Sequence, residues 1–116
     1  MSNTQPKVLV APSLPEAVNG ELKRSELSRG KIIVSVYDFM SIGDNVTLHI
    51  VGEPGNPQAP GTFPEVIPVT IIDDIERPIN PGPHLNHWQT LEVYYAVTNK
   101  DGSDKGVSEK VRVTIV

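Results

Sequence analysis

At 116 residues the chain holds one domain, and with no cysteine it can form neither a disulfide, a thiolate metal site nor a thiol nucleophile. A net charge of -4 and a pI near 5.2 leave no basic footprint for a phosphate backbone, so nucleic acid is not expected as a partner. Only 38% of residues are hydrophobic and 5% aromatic, while 11 are Pro and 9 are Gly. The core must therefore be aliphatic, and the chain rich in turns.

Residues Met1–Pro6 are polar and read as a flexible leader, with the domain over 7–116. They have neither the basic nor the apolar region of a signal peptide. No apolar run approaches the ~18 residues of a membrane span, so the chain is expected to be soluble, reaching any surface by another route or within a longer polypeptide.

A first short strand is predicted over Lys7–Ala11, stopped by Pro12 and Pro15. Asn19-Gly20 signals a tight turn, and Lys23–Glu26 a single helical turn. The next strand, Lys31–Tyr37, points Ile32, Val34 and Val36 one way and Ile33, Ser35 and Tyr37 the other. Asp38–Gly43 is a tight connection whose Phe39, Met40 and Ile42 are expected to fold back over the end of the core. The strand Asn45–Val51 follows. Gly52–Pro64, with four Pro and three Gly, is a long loop.

The strand Glu65–Ile72 contains Pro68, which lacks a ladder donor and predicts a sheet edge. Ile72, Ile75 and Ile79 have helical spacing, so Asp73–Asn80 is expected to hold one helical turn. Thr90–Thr98 is the strongest strand, Asn99–Gly102 a hairpin turn, and Val107–Val116 the last strand. Runs this short, alternating with period two and separated by turn residues, specify an all-β antiparallel sandwich of about seven strands. The predicted core is Val34, Val36, Val46, Leu48, Val93, Tyr95, Val97, Val111 and Val113.

Three stretches carry a resemblance. They are Pro15–Leu22, opening on Pro15-Glu16-Ala17, then Met40-Ser41-Ile42-Gly43-Asp44-Asn45-Val46-Thr47-Leu48, and Leu91–Thr98 followed by Asp101-Gly102 and Ser108. Together they resemble the bacterial immunoglobulin-like repeats of large surface and adhesin-type proteins. Tyr95-x-Val97 also matches the Tyr-x-Cys step of immunoglobulin strand F, with Val in place of Cys. The resemblance implies an immunoglobulin-like fold and a non-catalytic module, outside the cell or on its surface, beside neighbouring repeats. It departs at position 50, where the family often has Trp and this chain has Ile50; the single tryptophan is Trp88.

Candidate chemistry is sparse. His84-x-x-His87 could share a metal on a helix, but Pro81 and Pro83 oppose that helix, and a loop is the plainer reading. Asp73, Asp74 and Glu76 form an acidic cluster that supplies too few oxygens for Ca²⁺ alone, and solvated carboxylates are the alternative. No nucleophile elbow or phosphate loop occurs, so neither an enzyme nor a cofactor is expected. Tyr37 and Tyr94 fall on outward strand phases, and Trp88 lies in a loop. With His84 and His87 they are the candidate contacts for a carbohydrate or protein ligand. This gives two readings: a spacer or adhesive unit, or a stand-alone glycan- or receptor-binding domain using Trp88. Burial of Trp88 would favour the first.

Overall fold

The computed structural model describes residues 7–27, 29–53, 62–79 and 88–116. Nine strands are assigned among them: β1 (Lys7–Leu9), β2 (Glu21–Leu22), β3 (Lys31–Val34), β4 (Asn45–Glu53), β5 (Thr62–Pro68), β6 (Ile75–Pro78), β7 (Thr90–Thr98), β8 (Asp104–Ser108) and β9 (Val111–Ile115). The architecture is an all-β, immunoglobulin-like sandwich. One sheet runs β1-β8-β7-β4-β5, with β9 joining the first half of β7 and β2 joining β9. The other sheet is the pair β3-β6, flanked by a bridge from Ser13 to Ile33.

β4 and β7 are the spine. Nine residues pair without a break, from Asn45↔Thr98 to Glu53↔Thr90. Both strands alternate as the period-two pattern requires: Val46, Leu48 and Ile50 are buried, as are Leu91, Val93, Tyr95 and Val97. Ile32 and Val34 face them from the second sheet, and Leu22, Leu27, Ile67, Val69, Ile79, Val113 and Ile115 complete the core.

Both turn motifs form as expected. Val18 and Glu21 exchange two backbone hydrogen bonds, with Asn19 at φ 52° and Gly20 at φ 77°, the positive-φ pair that tight hairpins demand. Asn99–Gly102 turns β7 into β8. The helical turn near Lys23 is a 3-10 turn over Arg24–Glu26. Among the described residues β5 pairs with β4 alone and is a sheet edge, but it spans Thr62–Pro68 where the sequence pattern predicts Glu65–Ile72.

Four expectations are corrected. The described residues of Asp73–Asn80, 73–79, hold no helical turn: the chain bends at 71–73 and enters β6, where Ile75–Pro78 pair with Lys31–Val34. A partner strand overrides local helical spacing. β3 ends at Val34, because the Val36 N–H is taken by the Asp74 Oδ1. The alternation slips there, leaving Val36 exposed and turning Tyr37 inward. The last strand is two, since the Ser108 hydroxyl accepts the Tyr95 N–H in place of a ladder carbonyl and the chain breaks at Glu109 and Lys110. Val111, just past that break, is only half-buried. Finally, of the three apolar residues in Asp38–Gly43, only Met40 packs on the core; Phe39 and Ile42 are exposed.

Gly52 is the tightest point of the core. It lies opposite Leu91, and a Cβ placed on it would fall within the Trp88 indole. Gly52→Ala is therefore expected to destabilise by at least about 2 kcal/mol through overpacking. Leu48→Ala, which opens a cavity instead, should cost about 2–5 kcal/mol. Urea unfolding of the two variants checks both; near-wild-type midpoints would mean the assigned faces are inverted.

Candidate functional site

Among the described residues, the aromatic ones singled out from sequence do not form one site. Trp88, which only the recognition reading places at the surface, is 1% exposed. Its indole lies on Gly52 and its carbonyl accepts a hydrogen bond from the Arg24 guanidinium at 2.9 Å. Although it precedes β7, it is part of the hydrophobic core. Trp88 is thus a plug for the base of the sandwich. His84 and His87 lie outside the described residues.

Tyr37, expected outward, is buried. Its hydroxyl donates to the Asp44 Oδ2 at 2.8 Å. Asp44 is the buried centre of a polar cluster: it also accepts from the Ser41 N–H at 3.0 Å and from the Lys105 Nζ at 2.8 Å. The Tyr37 and Tyr95 rings pack 6.4 Å apart, and the Tyr95 hydroxyl donates to the Val10 carbonyl. Burial, the largest single influence on Asp44, opposes its ionisation, but the ammonium, the amide and the phenol together outweigh it and hold the carboxyl below its ordinary value. Burial first, and then the hydrogen bond to the Asp44 carboxylate, push the Tyr37 phenol far above its ordinary value. These groups fasten the Gly43-Asp44 entry to β4 onto β8, and that occupation gives the motif a structural role.

Tyr94 does lie on the outward face, but it is engaged there. It sits opposite His49 in the β4–β7 register, with the two rings stacked at 4.6 Å and 9°. The Lys110 ammonium lies 5.1 Å from the Tyr94 ring centroid, within cation–π range, and 3.7 Å from Glu92. This is a cross-strand pair of the kind that stabilises sheets. Burial lowers the His49 pKa.

The acidic residues are likewise committed to the backbone or spread apart. Asp74 accepts from Val36, and Asp73 accepts from the Asp74 N–H at 2.8 Å. Among the described residues, no group of three or more His, Cys, Asp or Glu side chains is placed to hold a metal ion.

What sequence reasoning missed is the end of the sandwich opposite Trp88. Residues 35–44 precede β4, 69–74 join β5 to β6, and 99–103 join β7 to β8, so the strand directions gather all three segments at one end. Gly43 donates to Val69, and Val69 to Asp44, tying the first two segments together. This tip exposes Val36, Phe39, Ile42, Ile71 and Ile72, with Ile42 and Ile71 about two-thirds exposed at 66% and 67%. The same segments and the first residue of β8 also carry Asp38, Asp73, Asp74, Asp101 and Asp104, with Lys100. Phe39 occupies the third position of a turn closed by Met40 N–H to Tyr37 carbonyl, at φ 68°. That conformation suits Gly or Asn and is rare for a bulky residue. The signal available in sequence was the apolar content of Asp38–Gly43, whose direction the strand pattern does not set.

Comparison with protein-family models, curated proteins and solved structures gives no match.

Two predictions follow from the site. Asp44 and His49 have lowered pKa values, so each contributes stability above its unfolded-state value that is lost as pH falls. The window opens at about 6.5 for His49 and about 3.9 for Asp44. Tyr37 is raised, so its contribution is whole below about pH 10 and is lost above it. Unfolding free energy measured by urea from pH 3 to 11 should form a plateau with both limbs falling. His49→Gln should flatten the limb just below pH 6.5; an unchanged slope there would refute the assignment. Phe39→Gly should hold stability or raise it by about 0.5–1 kcal/mol, because glycine relieves the left-handed φ. A clear loss would show that Phe39 serves the fold.

Proposed function

We propose that the chain is a non-catalytic immunoglobulin-like module, a structural spacer or adhesive unit of a bacterial surface or secreted protein. One observation carries the reading: the chain path has opposite entry and exit. β1 runs from Lys7 beside Gly106 to Leu9 beside Ser108, parallel to β8, so its start lies toward the loop tip. β9 runs in the same sense, away from the tip, and Val116 ends level with Leu22 and Arg24 at the Trp88 end. A module with this path can be strung end to end without doubling back. The resemblance of Pro15-Glu16-Ala17 and Met40–Leu48 to surface-protein repeats agrees with it.

Burial of Trp88 also favours the spacer. The recognition reading loses its aromatic anchor, and its remaining support is the exposed apolar tip, with a protein or carbohydrate as ligand.

The test is a fusion of two copies, C-terminus to N-terminus, measured by small-angle scattering. A largest dimension near twice that of the single chain is expected. A folded-back pair of single-chain length would reject the spacer. Saturable binding on a glycan or receptor array, abolished by Ile42→Ser and Ile71→Ser together, would promote the recognition reading above it.

A further inference from the structure

The N-terminal segment and the C-terminal strands lie side by side and parallel, in two separate patches. In the first, Lys7, Val8 and Leu9 pair with Gly106, Val107 and Ser108, and the Glu109 N–H donates to the Leu9 carbonyl at 2.9 Å. In the second, Glu21 and Leu22 pair with Thr114 and Ile115. Three further backbone bonds extend that patch: Thr114 N–H to Gly20 at 2.9 Å, Val116 N–H to Leu22 at 2.9 Å, and Arg24 N–H to the Val116 carbonyl at 2.7 Å.

Parallel pairing matters because of where the chain enters and leaves. Tension applied at the two termini draws β1 toward the tip and β9 toward the base. The two partners of each patch are then pulled in opposite senses along their own length. The hydrogen bonds of a patch lie across that direction, so they carry the load together and must fail together. Had the strands been antiparallel neighbours pulled from adjacent ends, the same bonds would open one at a time. We infer that these two parallel patches form a shear clamp, which lets the module bear axial tension without unfolding.

Side chains lock the clamp against sliding. Leu9, Leu14 and Leu22 anchor the N-terminal segment in the core, and slippage would draw all three into water. The Tyr95 hydroxyl holds the Val10 carbonyl. The Arg24 guanidinium holds the Trp88 carbonyl at the far end, and the Lys31 N–H is held by the Glu16 carboxylate. The segment between the patches is thereby tied to both sheets, and release of β1 alone transfers the load to the second patch. Bearing load is of use only to a module in a tethered protein, so the biological meaning of the clamp rests on the spacer reading. The mechanics belong to the single chain.

Single-molecule pulling of the whole chain tests the clamp, and the absence of native cysteine makes engineered handles unambiguous. One pair of handles joins cysteines added at the two termini and loads the patches in shear. The other joins Lys23→Cys, at an exposed position, to the cysteine after Val116; these sites end β2 and β9 on the same side, so the second patch is peeled. The unfolding force with terminal handles should exceed the peeling force several-fold. Equal or lower force with terminal handles overturns the clamp. Glu109→Pro with Val116→Pro removes two donors from the patches, both at exposed positions outside the strands. This variant should lower the terminal-handle force while shifting the urea midpoint little. An unchanged force would also overturn the proposal. The two-copy scattering measurement decides the spacer role separately: a folded-back fusion with a high shear force would leave the clamp standing and remove its use.

Discussion

The unbroken register between β4 and β7 is the constraint from which the other parts take their places. With nine consecutive pairs, a slip of one residue would turn one strand over, trading Val46, Leu48 and Ile50 for Asn45, Thr47 and His49, or Leu91, Val93, Tyr95 and Val97 for Glu92, Tyr94, Ala96 and Thr98. Burying either replacement set would desolvate charged or polar groups without partners. β5 extends β4 on one side, while β8 and β9 share the two halves of β7 on the other. The second sheet then has one face on which to settle. Even the polar cluster serves this register. Asp44 immediately precedes β4, and its bonds to Tyr37, Ser41 and Lys105 fix the residue at which the strand begins.

Where period two ran long, the sequence was easily read. Thr90–Thr98 has the expected bounds, Asn45–Glu53 extends the expected strand by two residues, and the immunoglobulin-like sandwich follows from them. Reading failed where a single long-range bond cuts the pattern. The Val36 N–H finds Asp74, thirty-eight residues away, and with that bond the phase of Val36 and Tyr37 reverses. Ser108 takes the Tyr95 N–H, and one strand becomes two. Ile75 and Ile79 have helical spacing, yet β3 offers them a ladder. None of these partners is local, so no window of sequence holds them.

Trp88 shows the same limit from the side of the candidate site. An aromatic two residues before a strand, in a Pro-rich stretch, reads equally as a surface feature or as a cover for the core end. Its burial depends on Gly52, which lacks the Cβ that would occupy the indole's place. The two positions are thirty-six residues apart and are joined only by the β4–β7 register. Tyr94 was placed on the correct face, but its stacking on His49 follows from that register as well. Once these rings are accounted for, and with Val10, Val18, Val66, Val107 and Val116 exposed elsewhere, the exposed apolar residues that gather from neighbouring segments are those of the tip. They stand in loops, where period carries no information about direction.

The two sheet edges and the two ends of the molecule are built differently, and the difference bears on how copies or partners can meet it. Val69 donates to Asp44, and Gly43 donates to the Val69 carbonyl, so the odd-numbered residues of β5 face β4. Pro64, Val66 and Pro68 therefore turn their backbone outward, and between Phe63 and Val69 the outer edge offers one amide N–H. β6 repeats the device. Ile79 donates to Gly30, which turns Glu76 and Pro78 outward and again leaves one N–H between Ile75 and Ile79. An incoming strand needs alternating donors and acceptors, and prolines at these positions deny it the donors. The Glu65–Arg77 pair, at 3.2 Å, ties the same flank across the two sheets, although an exposed pair of this kind adds little energy. Lateral growth of the sheets is thus blocked on this side. The tip keeps its apolar residues exposed, and at the base the C-terminal strand is clasped by the N-terminal segment. The proline-interrupted flank therefore disfavours strand addition from the side, whereas the tip offers side chains rather than a free backbone edge.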